Sequence, residues 1–429
     1  SAASDVYKRQ VFGLYAQEDI KNAAGEVVVE KDALIELGTT DEEGKLVFQA
    51  DLPHGKYYIQ EVEHKPGYLP NDEVYSFDAS YTDQTLELLA FSEEISNQPT
   101  ITEFAKVDLT GGQEIEGAKM QILDQEGKVV EEWVSKKEAH VVYALAPGEY
   151  ILHEEQAPTE QGYVRAEDVK FVVEETGDVQ KVKMEDDHTK VSISKTDITD
   201  GKEIEGAKLQ ILDQDGEVVE SWTTGEEHLI EYLPVGTYTL HEEAAVDGYI
   251  VANDVEFTVE ETGEIQKVKM EDERAMGQLV IVKTDTDSKA ALEGVEFVLL
   301  EKETGKEVGR LKTGKDGKAV SELLPIGTYK NGVFKEPITY VLKETATLKG
   351  YEKTEEEWEI VFTYQNDKTP VIEVVKEIQN KKIPETPGTV KPGPKTGDDT
   401  NWFLPLLALG VSAGMVAGLL YYRKRHKKA

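Results

Sequence analysis

Internal repetition constrains this chain more than any other feature. Residues 112–133, GQEIEGAKMQILDQEGKVVEEW, return at 201–222 as GKEIEGAKLQILDQDGEVVESW. Residues 173–186, VEETGDVQKVKMED, return at 259–272 as VEETGEIQKVKMED. The offsets are 89 and 86 residues. Looser copies flank this pair: GQLVIVKTD (277–285) with LEGVEFVLL (292–300) on one side, and VFGLYA (11–16) on the other. Self-similarity at fixed spacing means copies of one folding unit, and a chain of 429 residues has room for about three to four domains.

Within each unit the pattern is short alternating strands and turns. KMQIL and KLQIL run into Glu126-Gly127 and Asp215-Gly216, which suit hairpin turns. LAPGEYILHEE, LPVGTYTLHEE and LPHGKYYIQEVE place Pro and Gly before a period-two strand. QGYV, DGYI and PGYL follow, then strands such as VKFVVEE and VEFTVEE. No amphipathic helix of ten or more residues stands out. About seven short strands in roughly 90 residues predict a β-sandwich per unit.

Composition narrows the function. The net charge of −38 repels nucleic acid phosphates, so no nucleic acid partner is expected. Zero cysteine removes disulfides, thiolate zinc sites, iron–sulfur clusters and thiol nucleophiles. No G-x-S-x-G, H-E-x-x-H, Walker or dinucleotide motif occurs, and no cofactor or metal is implied. Acidic clusters such as Asp213-Gln214-Asp215-Gly216 lack the closing Glu of a calcium loop and read as hairpin turns.

Three positions recur in unusual surroundings. Near the start of a unit a lysine interrupts an apolar strand: Lys106 in FAKVD, Lys195 in ISKTD, Lys283 in IVKTD. In mid-unit a glutamate follows a Tyr-containing strand: Glu61 in YYIQE, Glu154 in YILHE, Glu242 in YTLHE, Glu344 in YVLKE. At the end comes an amide or acid: Asn97, Asp186, Asp272 and Asn380. Strand alternation puts Val191, Ile193 and Lys195 on one face, and Tyr238, Leu240 and Glu242 on one face, so both charged groups point with the apolar side chains toward the core. His153 and His241 fall on the opposite face from the glutamates, and Trp133 and Trp222 occupy matching strand positions as packing residues.

With this set of residues the units resemble the CnaB-like (SpaA-type, prealbumin-like) domains of Gram-positive pilins and adhesins, over residues 11–382. The resemblance implies an internal isopeptide bond between the lysine and the terminal Asn or Asp, promoted by the buried acid. Carried over, it pairs Lys106 with Asp186 and Glu154, Lys195 with Asp272 and Glu242, and Lys283 with Asn380 and Glu344. The chemistry suits the residue types. Burial disfavours the charged forms of an amine and of a carboxylic acid, a neutral acid can shuttle protons to a leaving group, and folding supplies a high effective concentration. The reaction occurs once per domain, so it is maturation and not enzymatic turnover. Spacing selects Asp186 over Asp187, because Asn97 to Lys106 and Asp186 to Lys195 are both nine residues.

The flanking copies depart from the pattern. Each lysine precedes its partner in the next strand (Met120, Leu209, Phe297) by 14 residues; counted back from Phe12, the first unit's lysine falls before residue 1. Lys8 is too close to substitute, so Asn97 is expected to be an unpaired acceptor. In the fourth unit 15 residues separate Tyr329 from Glu344, where Tyr238 and Glu242 are four apart. The excess, around KNGVFKEPIT, reads as a loop or extra hairpin that leaves the bond intact.

The C-terminus carries a second signal. Trp402 to Tyr422 is a charge-free apolar run of 21 residues, long enough to span a bilayer, with aromatics at both ends. Arg423, Lys424, Arg425, Lys427 and Lys428 follow it. Upstream stand a Pro-rich stretch, IPETPGTVKPG, and Pro394-Lys395-Thr396-Gly397. This arrangement resembles the LPxTG-type sorting signal of Gram-positive wall proteins, with Gly393 where that family has Leu. The resemblance implies that a sortase cleaves after Thr396 and joins it to peptidoglycan or to a pilin lysine, the membrane holding 402–422 before cleavage.

The expected architecture is all-β: tandem Ig-like (CnaB-type) β-sandwich domains, then a Pro-rich linker and one C-terminal transmembrane helix. Residues 1–10, SAASDVYKRQ, read as a non-native leader. A truncated first domain is expected at 11–98, and complete ones at 99–187, 188–274 and 275–382. The linker and sorting motif cover 383–397, the membrane helix 402–422 and the basic cytoplasmic tail 423–429. The functional expectation is an extracellular, wall-anchored stalk resistant to force and proteolysis, presenting an N-terminal adhesive module whose host or cell-surface ligand is not encoded here. Two alternatives share these features: a minor, anchoring pilus subunit, and the non-catalytic wall-anchor region of a surface enzyme.

Overall fold

The computed structural model describes residues 10–80 and 90–385. The expected sorting motif, membrane helix and basic tail, and Lys8 with most of the leader, lie outside the described residues. No helix within the described part is long and apolar enough to cross a membrane.

The described chain is built of strands, with one short 3-10 turn at Thr159–Gln161. Each of the second and third domains is a sandwich of two four-stranded sheets. In the third, one sheet is ordered His228–Glu231, Lys190–Asp197, Ile265–Arg274, Tyr249–Ile250. The other is ordered Val218–Thr223, Lys208–Leu212, Gly236–Ala244, Val255–Val259. The second domain repeats this order strand for strand. Between the sheets lie Val191, Ile193, Leu209, Ile211, Leu240, Val259 and Met270, all buried. The alternation of apolar and polar residues produces this, since every second side chain of each strand faces the other sheet.

The first and last strands of a domain lie side by side and parallel. Lys190–Asp197 runs against Ile265–Arg274, pairing Lys195 with Met270 and Asp197 with Asp272. Val179–His188 runs likewise against Ile101–Asp108, and Val371–Asn380 against Met276–Asp285. The acidic turns serve the backbone: Asp124 Oδ1 accepts from Glu126 N and Lys128 N at 2.9 Å, and Asp213 Oδ1 does the same for Asp215 and Glu217.

The fourth domain differs where its spacing is longer. Gly327–Lys330 and Val333–Pro337 form an added hairpin. Tyr340 fills the place of Tyr238: its hydroxyl donates to Pro325 O, as Tyr238 donates to Pro234 O. Tyr329, matched to Tyr238 by sequence alone, instead sits on the hairpin and donates to Gly248 O of the third domain at 2.8 Å. In the first domain, one four-stranded sheet and a small hairpin are described. There Val11–Ala16 pairs with Lys56–Glu63 so that Phe12 faces Glu61, the register in which Met120 faces Glu154 and Leu209 faces Glu242.

The terminal strands of the second and third domains, and of the third and fourth, are joined through single residues. Thr189 separates Val179–His188 from Lys190–Asp197, and Ala275 separates Ile265–Arg274 from Met276–Asp285. Thr189 N donates to Gly162 O, Tyr232 N donates to Thr189 O, and the Thr189 hydroxyl donates to Leu233 O. Thr100 makes the same three bonds with Gly67, Ala144 and Leu145. Between the third and fourth domains Arg274 pairs with Asp197 and Asp200, and its guanidinium lies 4.1 Å from the centre of the Tyr329 ring.

Candidate functional site

Lys195 is carried by the first strand of its domain, Asp272 by the last strand beside it, and Glu242 by Gly236–Ala244 in the facing sheet. All three side chains are buried in the core, Lys195 being 1% exposed. Lys195 Nζ contacts Asp272 Oδ1 and lies 3.0 Å from Glu242 Oε2. Glu242 is held by Ala252 N, which donates to Oε2 at 2.6 Å. The second domain has the same geometry. Lys106 Nζ contacts Asp186 Oδ1 and lies 2.9 Å from Glu154 Oε2, and Ala166 N donates to Glu154 Oε2 at 2.8 Å. Asp187, one residue on, turns away and pairs with Lys190 at 2.7 Å.

In the fourth domain the acceptor is an amide, and its orientation is informative. Lys283 Nζ contacts Asn380 Oδ1 and donates to Glu344 Oε2 at 2.9 Å. Asn380 Nδ2 donates to Glu344 Oε1 at 2.7 Å and to Thr347 Oγ1 at 2.8 Å. The glutamate therefore uses one oxygen for the amine and the other for the amide nitrogen. In the aspartate domains the corresponding oxygens, Glu154 Oε1 with Asp186 Oδ2 and Glu242 Oε1 with Asp272 Oδ2, are buried without a hydrogen-bond partner. One proton held between each pair satisfies both oxygens and leaves the cluster neutral overall, the state that burial favours.

The electrostatics point the same way. Burial pushes the Asp186 and Asp272 carboxyls up to about 7; the neighbouring lysine partly offsets this and the glutamate reinforces it. Burial also lowers the Lys283 amine from its usual range, against the pull of Glu344. A lysine amine, an Asp or Asn carbonyl and a glutamate carboxyl are thus in contact in each of three domains, the groups that amide formation requires.

In the first domain, Gln10 stands at the corresponding point. Its Nε2 donates to Glu61 Oε1 and to Asn97 Oδ1, both at 3.0 Å, and Asn97 Nδ2 donates to both Glu61 oxygens at 2.9 Å. An amide nitrogen is not a nucleophile. Gln10, assigned by sequence to the leader, is buried, and its position outside the repeat gave no signal of this.

Three aspartates near the lysines were not singled out by sequence. Asp108, Asp197 and Asp285 follow each lysine by two residues, and the repeat KVD, KTD, KTD was the available signal. Asp108 accepts from the Tyr232 hydroxyl of the next domain at 2.8 Å, and Asp197 from Tyr249 and Arg274. His153 and His241 pair on the surface with Asp168 and Asp254 at 2.7 Å, away from the glutamates. Trp133 and Trp222 pack at the edge of the cores and stack on His140 and His228.

Paired sandwich sheets with parallel terminal strands and a buried Lys–Glu–acid set define a tandem prealbumin-like protein. The chain belongs to the SpaA prealbumin-like fold domain family, whose model matches residues 10–91, 100–188, 189–274 and 277–337. Among solved structures it is similar to the Bacillus anthracis TIE protein, at 24% identity over 87% of this chain and 69% of that one, with a TM-score of 0.47. It is also similar to a Streptococcal ancillary pilin, at 16% identity over 67% and 99% of the two chains, with a TM-score of 0.28. A third is BcpA, the major pilin subunit of Bacillus cereus, at 15% identity over 66% and 99%, with a TM-score of 0.38. No curated protein matches the chain.

Proposed function

We propose that this chain is the stalk of a sortase-anchored Gram-positive wall protein, stapled by bonds Lys106–Asp186, Lys195–Asp272 and Lys283–Asn380. The observation that carries the reading is the buried lysine, glutamate and acid or amide in mutual contact, repeated in three domains. A buried ion pair alone is a weak source of stability, since desolvation costs much of the Coulombic gain. Amide formation removes that cost by consuming both charges.

The chemistry follows from the two oxygens of the glutamate. The Lys195 ammonium first gives a proton to the carboxyl pair, so that Asp272 and Glu242 are both acids; the neutral amine then attacks Asp272 Cγ, and an amine proton passes to Glu242 Oε2. Glu242 Oε1 delivers a proton to the departing oxygen, the Cγ–O bond breaks, and water leaves as the Nζ–Cγ amide closes. In the fourth domain Asn380 Nδ2 takes the proton from Glu344 Oε1 and leaves as ammonia. Glutamate ends as it began, and each domain reacts once. Thr396 within Pro394–Gly397 is the proposed point at which a sortase joins the stalk to the wall or to a pilin lysine, so the stalk works outside the cell.

The test is intact mass of the folded chain. Three bonds remove two waters and one ammonia from the sequence mass. An unshifted mass in folded protein sinks the covalent part of the reading.

A further inference from the structure

The nucleophilic lysines raise a backbone problem. In a strand, the N–H and C=O of one residue point to the same side. Those of Lys106, Lys195 and Lys283 point away from the parallel acceptor strand, toward the other edge. Their carbonyls are met there by Ile115 N at 2.7 Å, Ile204 N at 2.8 Å and Leu292 N at 3.0 Å. Their N–H groups are met in two different ways.

In the fourth domain the neighbouring strand reaches far enough. Lys318–Val320 pairs with Val282–Val280, and the next carbonyl, Gly317 O, accepts from Lys283 N at 2.8 Å. In the second and third domains it stops short. His140–Tyr143 covers Ile101–Phe104, and His228–Glu231 covers Lys190–Ile193. The lysine two residues further on has no strand carbonyl opposite it. A side chain takes that place: Glu114 Oε2 accepts from Lys106 N at 3.0 Å, and Glu203 Oε2 from Lys195 N at 3.1 Å. The other Glu203 oxygen contacts the Ser194 hydroxyl. At the corresponding position of the fourth domain, where the carbonyl is present, stands Ala291, bridged to Thr284 as Glu114 is to Val107 and Glu203 to Thr196.

We propose that Glu114 and Glu203 are positioning residues for the lysine nucleophiles, each standing in for the missing edge-strand carbonyl. The proposal rests on the amide-forming reading above. A lysine amine hangs on four flexible carbons, so its place beside the acid depends on its own backbone being fixed. With the N–H unpaired, water competes for it and the strand end frays. Misplacement of a reacting atom by about 1 Å costs up to about a hundredfold in rate.

The experiment uses the full chain made by cell-free translation and quenched in acid at intervals. After denaturation and digestion, linked and free peptides bearing Lys195 and Asp272 are quantified beside those of the second and fourth domains. Glu203→Ala is expected to slow linkage in the third domain about tenfold, the effect of leaving one such donor unpaired, with the other two domains unchanged. Glu203→Gln keeps a carbonyl that can accept from Lys195 N and is expected to link near the unmodified rate. Hydrogen exchange at the Lys195 amide should rise in the first variant and not in the second. Glu203→Ala linking at the unmodified rate overturns the proposal, as does Glu203→Gln linking as slowly as Glu203→Ala. Should Glu203→Ala fail to fold, Glu114→Ala in the second domain gives the same reading. An unmodified chain that never links refutes the amide-forming reading instead, and is told apart by that control.

Discussion

Lys195 and Asp272 stand on adjacent parallel strands but not opposite each other: Lys195 faces Met270, and Asp272 faces Asp197 two residues further along. The lysine side chain spans that stagger diagonally, and Glu242 covers the meeting point from the other sheet. The offset is the same for Lys106 with Asp186 and for Lys283 with Asn380.

Removing the relay tests its role most directly. Glu242→Ala leaves the Lys195 amine without its oxygen neighbour and the Asp272 carboxyl without its proton partner. The third domain is expected to fold and to retain its water, while the other two domains react. The variant's intact mass is expected to fall short of its own sequence mass by one water and one ammonia; a shortfall of two waters and one ammonia, as in the unmodified chain, refutes the relay.

The two acceptor types should respond differently to pH. In the proposed reaction an aspartate cluster carries one more proton than its fully ionised form, and burial holds that proton on Asp186 and Asp272 with a pKa of about 7. Linkage in the second and third domains should therefore be fast below pH 7 and slow as the pH rises through it. In the fourth domain, transfer of a proton from Lys283 to Glu344 creates the reactive form without net uptake, so no such fall near 7 is expected. Timed mass measurements at mildly acidic and mildly basic pH check both.

Stretching a single molecule reads the bonds as lengths. A linked third domain has no long extension to release. Lys195→Ala frees the segment from Lys195 to Asp272, 77 residues apart, and at up to ~3.6 Å per residue should add an unfolding step on the order of 250 Å. Force spectroscopy in which the unmodified chain shows the same step would contradict the linkage.

The joint between the second and third domains can be opened without touching either site. Gly162 has φ +80°, and a Cβ there would strike the Tyr232 carbonyl. Gly162→Ala should cost about 1–3 kcal/mol locally and loosen the Thr189 bonds. Small-angle scattering should then show a more bent ensemble, with linkage unchanged by mass.

Much of the site could be read from the sequence because the repeat kept the order of residues and the two-residue period showed which way each side chain faced. Lys195 and Glu242 are legible as inward charges for this reason. What was hidden depends on where neighbouring strands end. Tyr340, four residues before Glu344 as Tyr238 is before Glu242, keeps the spacing of the core tyrosine, but nothing in the sequence shows that the hairpin carries Tyr329 to Gly248 of the preceding domain. The role of Glu203 follows from His228–Glu231 stopping at Ile193, a boundary that side-chain pattern does not mark. Gln10 lay beyond the repeat, so no copy existed to compare it with.

The single-residue joint at Thr189 has a further consequence once the domains are linked. The unbranched part of the molecule shrinks to the short stretches between one domain's acceptor and the next domain's lysine, such as Asp186 to Lys195. Everything between Lys195 and Asp272 becomes a side arm that can vary in length without altering the continuity of the whole. The hairpin Gly327–Pro337 is such an enlargement, placed between Lys283 and Asn380. In a chain linked in this way, sequence change can enlarge the arms, while the few residues of the joints are the part that must carry the load.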